Sequence, residues 1–146
     1  MLASTAVRAL AADQTSCAAQ DSAQHVHATG AWTSNAAGAK LAVAIDIDKG
    51  YHINANPASQ DYRVPTTLTV IGADAKVYYP VGERFAPPFA HDAIMVYTGR
   101  ATIEARLHAR LAQLPGKAQL QGQACNDHVC LAPSTVDISQ SIPVAR

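Results

Sequence analysis

Beyond residue 24, hydrophobic and polar positions alternate with a period of two, the period of a β-strand with one face toward a core. In "KLAVAIDID" the residues Leu41, Val43, Ile45 and Ile47 share one face, with Asp46 and Asp48 on the other. "ATIEARLHARL" sets Ile103, Ala105, Leu107, Ala109 and Leu111 against Thr102, Glu104, Arg106, His108 and Arg110. The four-residue spacing of Ile103, Leu107 and Leu111 would also suit a helix, but the unbroken alternation favours a strand. "KAQLQGQA" (117–124) repeats the pattern through Ala118, Leu120, Gly122 and Ala124, and "STVDISQSI" (134–142) through Val136, Ile138 and Ile142. Turn signals separate the runs: Lys49-Gly50, Asn56-Pro57, Ile71-Gly72, Val81-Gly82, Pro87-Pro88, Thr98-Gly99 and Pro115-Gly116. Short strands between such turns predict an all-β fold, a sandwich of antiparallel strands with little helix. The expected organisation is a mobile Ala-rich leader over residues 1–24 and one domain over 25–146. Pro80, Pro87 and Pro88 cannot donate to a sheet ladder, so residues 80–92 are expected to form a loop. That loop carries Phe85 and Phe89, the two phenylalanines of the chain. They either anchor the loop to the body or cap something beneath it.

Composition narrows the function classes. The chain has 146 residues, with 11 basic and 11 acidic side chains and no formal net charge. It therefore lacks the electrostatic footprint of a nucleic-acid binder, and no basic run suggests attraction to an anionic membrane. No stretch approaches the roughly 18 apolar residues of a membrane span, so direct membrane insertion is not expected. The opening "MLASTAVRALAADQTSCAAQ" has no continuous apolar core, and Arg8 interrupts it. It reads as a poor secretory signal, implying either a trimmed mature form or a protein that is not exported.

The chemistry concentrates in "QACNDHVCLAP" (123–133), where Cys125 and Cys130 are separated by four residues. Three readings stand. A structural disulfide would close a six-residue ring worth roughly 2 kcal/mol, a small increment for a domain of this size. A metal site would draw on Cys125, His128 and Cys130 with His91 or His52 as a fourth donor, but no second cysteine pair completes the usual zinc pattern. A redox dithiol needs two cysteines that can bond and remain reachable, and its attacking species is the thiolate. Asp127 would raise the pKa of a nearby thiol, and a protonated His128 would lower it. Cys17, the third cysteine, has no evident role, and a bridge from it to either of the others stays open.

Taken in order, "GYHINANPAS" (50–59), "YPVGERF" (79–85), "VYTG" (96–99) and "QACNDHVCLAP" (123–133) resemble the amino-terminal periplasmic domain of the thiol:disulfide interchange protein DsbD. The resemblance covers about residues 25–142. It implies an immunoglobulin-like β-sandwich, a periplasmic location and no cofactor or metal. It also implies an electron relay, from a thioredoxin-like domain to periplasmic thiol–disulfide proteins. By position, Cys125 and Cys130 would be the redox pair, with Cys130 meeting the partner. Phe89 would be the cap-loop aromatic that covers the disulfide, with Phe85 as the alternative. Tyr51 and His52 fall where an aromatic packs by the cysteines. The acidic residues that precede the cap in the family have no counterpart in "RFAPPF", though Asp92 lies nearby. The family's domain is followed by a membrane domain and a thioredoxin-like domain, so this chain is either part of a larger membrane-anchored protein or a stand-alone relative. The competing functions are a binding module with a static disulfide and a metal chaperone.

Overall fold

The structure is a computed structural model that describes residues 21–88, 90–108 and 116–141. Its elements are, in order, a 3-10 turn (Ser22–Gln24) and strands β1 (Val26–Asn35), β2 (Gly38–Ile47), β3 (His52–Asn54), β4 (Thr67–Ile71), β5 (Lys76–Tyr78), β6 (Glu83–Phe85), β7 (Ile94–Tyr97), β8 (Arg100–Leu107), β9 (Lys117–Gly122), β10 (Ala124–Cys125), β11 (Ser134–Asp137) and β12 (Ser139–Ser141). The 3-10 turn is the one helical element among the described residues. No helix among them is long and apolar enough to cross a membrane.

The alternation builds the core as expected. β2 pairs antiparallel with β1 from Val26↔Ile47 to Asn35↔Gly38, and with β8 from Ala39↔Leu107 to Asp46↔Arg100. A period of two then turns Leu41, Val43, Ile45, Ile103 and Ala105 to one face, and all five are completely buried. This five-stranded sheet has the order β12-β1-β2-β8-β5. Facing it are a three-stranded sheet, β11-β9-β4, and a four-stranded sheet, β10-β3-β7-β6. Leu68 and Leu120, directly opposite across β4 and β9, join Ile53 of β3 in the same hydrophobic cluster as Trp32 and Leu41. The result is the expected immunoglobulin-like sandwich. All strand pairs are antiparallel except β1 with β12, which run parallel.

Two local expectations need correction. Residues 80–92 are not all loop, because Glu83–Phe85 form an edge strand paired with β7 through Glu83↔Val96 and Phe85↔Ile94. Pro80, Pro87 and Pro88 all lie outside this three-residue ladder, so none has to donate to it. The alternating run 134–142 does not serve one sheet. Its first half pairs with β9, its second half with β1, and the chain changes layer at the buried Ile138. The Ile138 N–H still bonds to the Ala118 carbonyl at 2.9 Å while its side chain fills the interior. Residues 109–111 and Ile142 lie outside the described residues.

Residues 21–24, read from sequence as leader, are tied to the domain. The Ser22 hydroxyl donates to the Ala132 carbonyl at 2.7 Å and accepts from the Ala124 N–H at 2.8 Å. Ser22 N–H bonds to the same carbonyl at 3.0 Å, and Ala23 N–H to the Ser134 hydroxyl at 3.0 Å. Ser22 is buried, so no water replaces its hydroxyl if it is removed. Ser22→Ala is expected to destabilise the fold by about 1–3 kcal/mol, because it strands the Ala124 N–H. Urea unfolding checks this, and a change below a few tenths would contradict it.

Candidate functional site

At one end of the sandwich the chain makes a tight hairpin across its two late cysteines. Cys125 and Cys130 face each other as an antiparallel bridge, with Cα atoms 4.0 Å apart, and are joined by a disulfide. Asn126 sets the turn between them. Its side-chain oxygen accepts from the N–H groups of His128 and Val129, each at 2.8 Å, and its own N–H bonds to the Val129 carbonyl at 2.9 Å. A short amide side chain that bonds the backbone two and three residues on is well suited to such a turn. Below the turn, Leu131 N–H bonds to the Ala124 carbonyl, and the Gln123 amide donates to the Leu131 carbonyl. The two cysteines differ sharply in environment: Cys125 is 3% exposed, whereas Cys130 lies on the surface.

Strand β3 supports this hairpin from the side. Cys125 is the cross-strand partner of His52, and Ala124 that of Ile53. Gly50, with φ at +87°, makes the left-handed turn that delivers Tyr51 and His52 into β3. The His52 ring is buried and packs against Phe85 with ring centroids 4.5 Å apart. Tyr51 stacks on His25 at 3.9 Å, and His25 is held in turn by a 3.0 Å contact from Nδ1 to Asp48. His27 reaches the other Asp48 oxygen at 3.1 Å. These contacts, that of His25 foremost, hold the Asp48 carboxyl below its ordinary pKa. Tyr51, His52, Phe85, Asp48 and Asp127 line one open groove of about 450 Å³ beside the cysteine turn.

Phe85 reaches this groove from a strand whose start is pinned. The Tyr97 hydroxyl donates to the Pro80 carbonyl at 2.9 Å and accepts from the Asn56 N–H at 3.2 Å. Burial pushes the Tyr97 hydroxyl above its ordinary pKa, which keeps it protonated for that role. Gly82 lies so close to β7 that a Cβ there would stand 3.1 Å from the Val96 nitrogen and 2.8 Å from the Ala55 Cβ. The Thr98 hydroxyl donates to Glu83 at 2.9 Å, across the same two strands.

Among the residues singled out from sequence, the structure brings together Cys125, Cys130, Tyr51, His52 and Phe85. Asp92 and His128 are exposed and do not line the groove. Phe89 and Cys17 lie outside the described residues. Since Cys125 and Cys130 bond each other, neither bridges to Cys17. Among the described residues no three His, Cys, Asp or Glu side chains converge as a metal-binding group. Sequence reasoning weighed Asp127 as a neighbour of the thiols but passed over Asn126, Arg63 and Ser22. The Asn-Asp pair directly after a cysteine is the turn signal that marks Asn126, whereas Arg63 and Ser22 join only through the tertiary fold.

The His52 environment has a measurable signature. Burial is the main cause of its lowered pKa, Asp127 opposes the shift and Arg63 adds to it. A histidine depressed in the folded state binds its proton more readily when unfolded. Its burial therefore costs nothing above the unfolded pKa of about 6.5 and destabilises as pH falls from there toward the folded value. His52→Gln should lose less thermal stability than wild type between about pH 7 and about pH 5. Equal losses, read by circular dichroism, would show that the imidazole is not buried neutral.

Among solved structures, the chain is similar to the amino-terminal domain of DsbD from Neisseria meningitidis in its reduced form. The two are 19% identical over 79% of this chain and 84% of that one, with a TM-score of 0.44. A comparison with curated proteins gave no match. The family model described as thiol:disulfide interchange protein DsbD, N-terminal, matches residues 15–141, which takes in the 3-10 turn, the groove and the whole cysteine hairpin. The chain belongs to the family of DsbD amino-terminal domains.

Proposed function

We propose that this domain carries out thiol–disulfide exchange through the Cys125–Cys130 pair, with Cys130 meeting the partner and Cys125 as the internal sulfur. The observation that carries the reading is the unequal exposure of the two cysteines across one short turn. A partner thiolate attacks the Cys130 sulfur, the Cys125–Cys130 bond breaks, and Cys125 leaves as a thiolate that takes up a proton. A second partner thiol then attacks the mixed disulfide, which releases the domain in its dithiol form and the partner oxidised. In the onward step the Cys130 thiolate attacks a client disulfide, the client's leaving sulfur is protonated, and Cys125 resolves the new mixed disulfide. The domain ends oxidised and the client reduced.

Family membership supports thioredoxin-like donors and periplasmic clients as the two partners, with electrons passing from the first to the second. The periplasm is the compartment in which such clients form disulfides. Phe85, seated on His52 at the groove, takes the role of the aromatic cap beside the pair. Neither step requires a cofactor.

Two measurements test the proposal. Equilibration with defined redox buffers should give the Cys125–Cys130 pair a potential above about −300 mV, the range of working disulfides. A much lower value would make the bridge structural and the domain a binding module. In a Cys17→Ser background, Cys125→Ser should accumulate a stable mixed disulfide between Cys130 and a thioredoxin-like protein carrying one thionitrobenzoate-activated cysteine and no second thiol, because no resolving sulfur remains on either side. Cys130→Ser should trap far less, and equal trapping would contradict the assignment of Cys130 as the sulfur that meets the partner.

A further inference from the structure

The exchange scheme leaves one proton without an owner. To resolve a mixed disulfide on Cys130, Cys125 must act as a thiolate. It is buried, and burial in apolar surroundings favours the neutral thiol. Asn126, which shapes the turn, spends its side-chain oxygen on two backbone N–H groups and cannot take the proton. A base within the fold beside Cys125 would offset that cost.

His52 occupies that position. It is directly opposite Cys125 in the β3–β10 pair, and residues so placed have side chains on the same face with Cβ atoms about 4.5–5.5 Å apart. Among the described residues it is the one buried histidine. Phe85 covers its ring, so the imidazole cannot swing freely into solvent. Its charged surroundings are Asp127 from the cysteine turn and Arg63 from the segment between β3 and β4. Asp48, Lys49 and Tyr51 line the same groove from the approach to β3. The net effect favours the neutral ring, led by burial, which leaves one ring nitrogen free to accept.

We propose that His52 is the proton acceptor for Cys125 in the resolving step. This rests on the exchange reading above. The Cys125 S–H bond breaks as its proton passes to an imidazole nitrogen, and the thiolate attacks the Cys130 sulfur. The bond from Cys130 to the client sulfur breaks, and the client leaves as a thiolate that receives the proton from the imidazolium directly or through water. No electron acceptor beyond the client disulfide is needed. In the reverse direction the same ring, in its protonated form, returns a proton to the departing Cys125 sulfur.

With Cys17→Ser in every protein compared, so that the third thiol of the chain does not react, Ellman's reagent separates the two sulfurs. The fully reduced protein releases one thionitrobenzoate when Cys130 attacks the reagent, and a second when Cys125 resolves the adduct. In wild type the second phase should keep its rate from alkaline pH down to the titration of His52. In His52→Gln it should be at least about tenfold slower near neutral pH, fall further with each unit of acidification, and converge on wild type where the thiol ionises unaided. The first phase should be unchanged. Parallel profiles within about twofold would overturn the role of His52 and leave the exchange reading intact. Failure of the wild type itself to release the second thionitrobenzoate would overturn the exchange reading. The fold of the variant is verified by its near-ultraviolet circular dichroism, with His52→Asn as the alternative substitution. A measurement on wild type stands independently of any variant: the NMR titration of the His52 ring should differ between the disulfide and dithiol forms. An identical titration in both would contradict the proposal.

Discussion

The buried hydroxyl of Ser22 holds the late cysteine hairpin to the rest of the sandwich. It receives the N–H of Ala124, at the start of the two-residue strand β10, and gives its own proton to Ala132, beyond the second cysteine. A strand of two residues has little pairing of its own, and β10 meets β3 only through Ala124↔Ile53 and Cys125↔His52. The hydroxyl supplies what the ladder lacks and spans the hairpin from base to base. The partition between an interior sulfur and a surface sulfur, on which the proposed exchange depends, follows from how deeply that base is seated.

The groove beside the hairpin is organised by the same economy of short elements. β3 and β6 are three residues each, yet each carries an aromatic side chain of the site. Their stability comes from cross-links made outside the strands. The Tyr97 hydroxyl joins the segments at Asn56 and Pro80, and Asp48 gathers His25 and His27 behind Tyr51. The Asp48 side chain is 43% exposed, so its ion pairs contribute little by themselves. Their use is positional, since they fix the aromatic stack that borders His52.

The long strands were legible because burial leaves a period of two in the sequence wherever one face meets the core. Leu41, Val43, Ile45 and Ile103 follow that rule without exception, and Gly50, Gly72 and Gly99 make left-handed turns where the sequence marks them. The short strand β6 was not legible: three residues between prolines hold too little pattern to distinguish a sheet edge from a loop. Nor was the change of sheet at Ile138, because alternation continues unbroken when a chain steps from one layer to the other. At the site, the cysteines declared themselves by spacing. The approach of His52 depends on strand register, and the support from Ser22 on contacts between residues more than a hundred positions apart, which no local pattern encodes.

Those distant contacts also order the assembly of the molecule in time. Ser22 waits for Ala132, the indole of Trp32 for Gln140, and β1 for its parallel neighbour β12. Closing such long stretches of chain costs entropy before the contacts reward it. The hairpin that bears both cysteines therefore has its buried footing only once the two ends of the domain have met. Until then the two thiols are equivalent to any passing oxidant, and the distinction between an inner and an outer sulfur exists only in the finished fold.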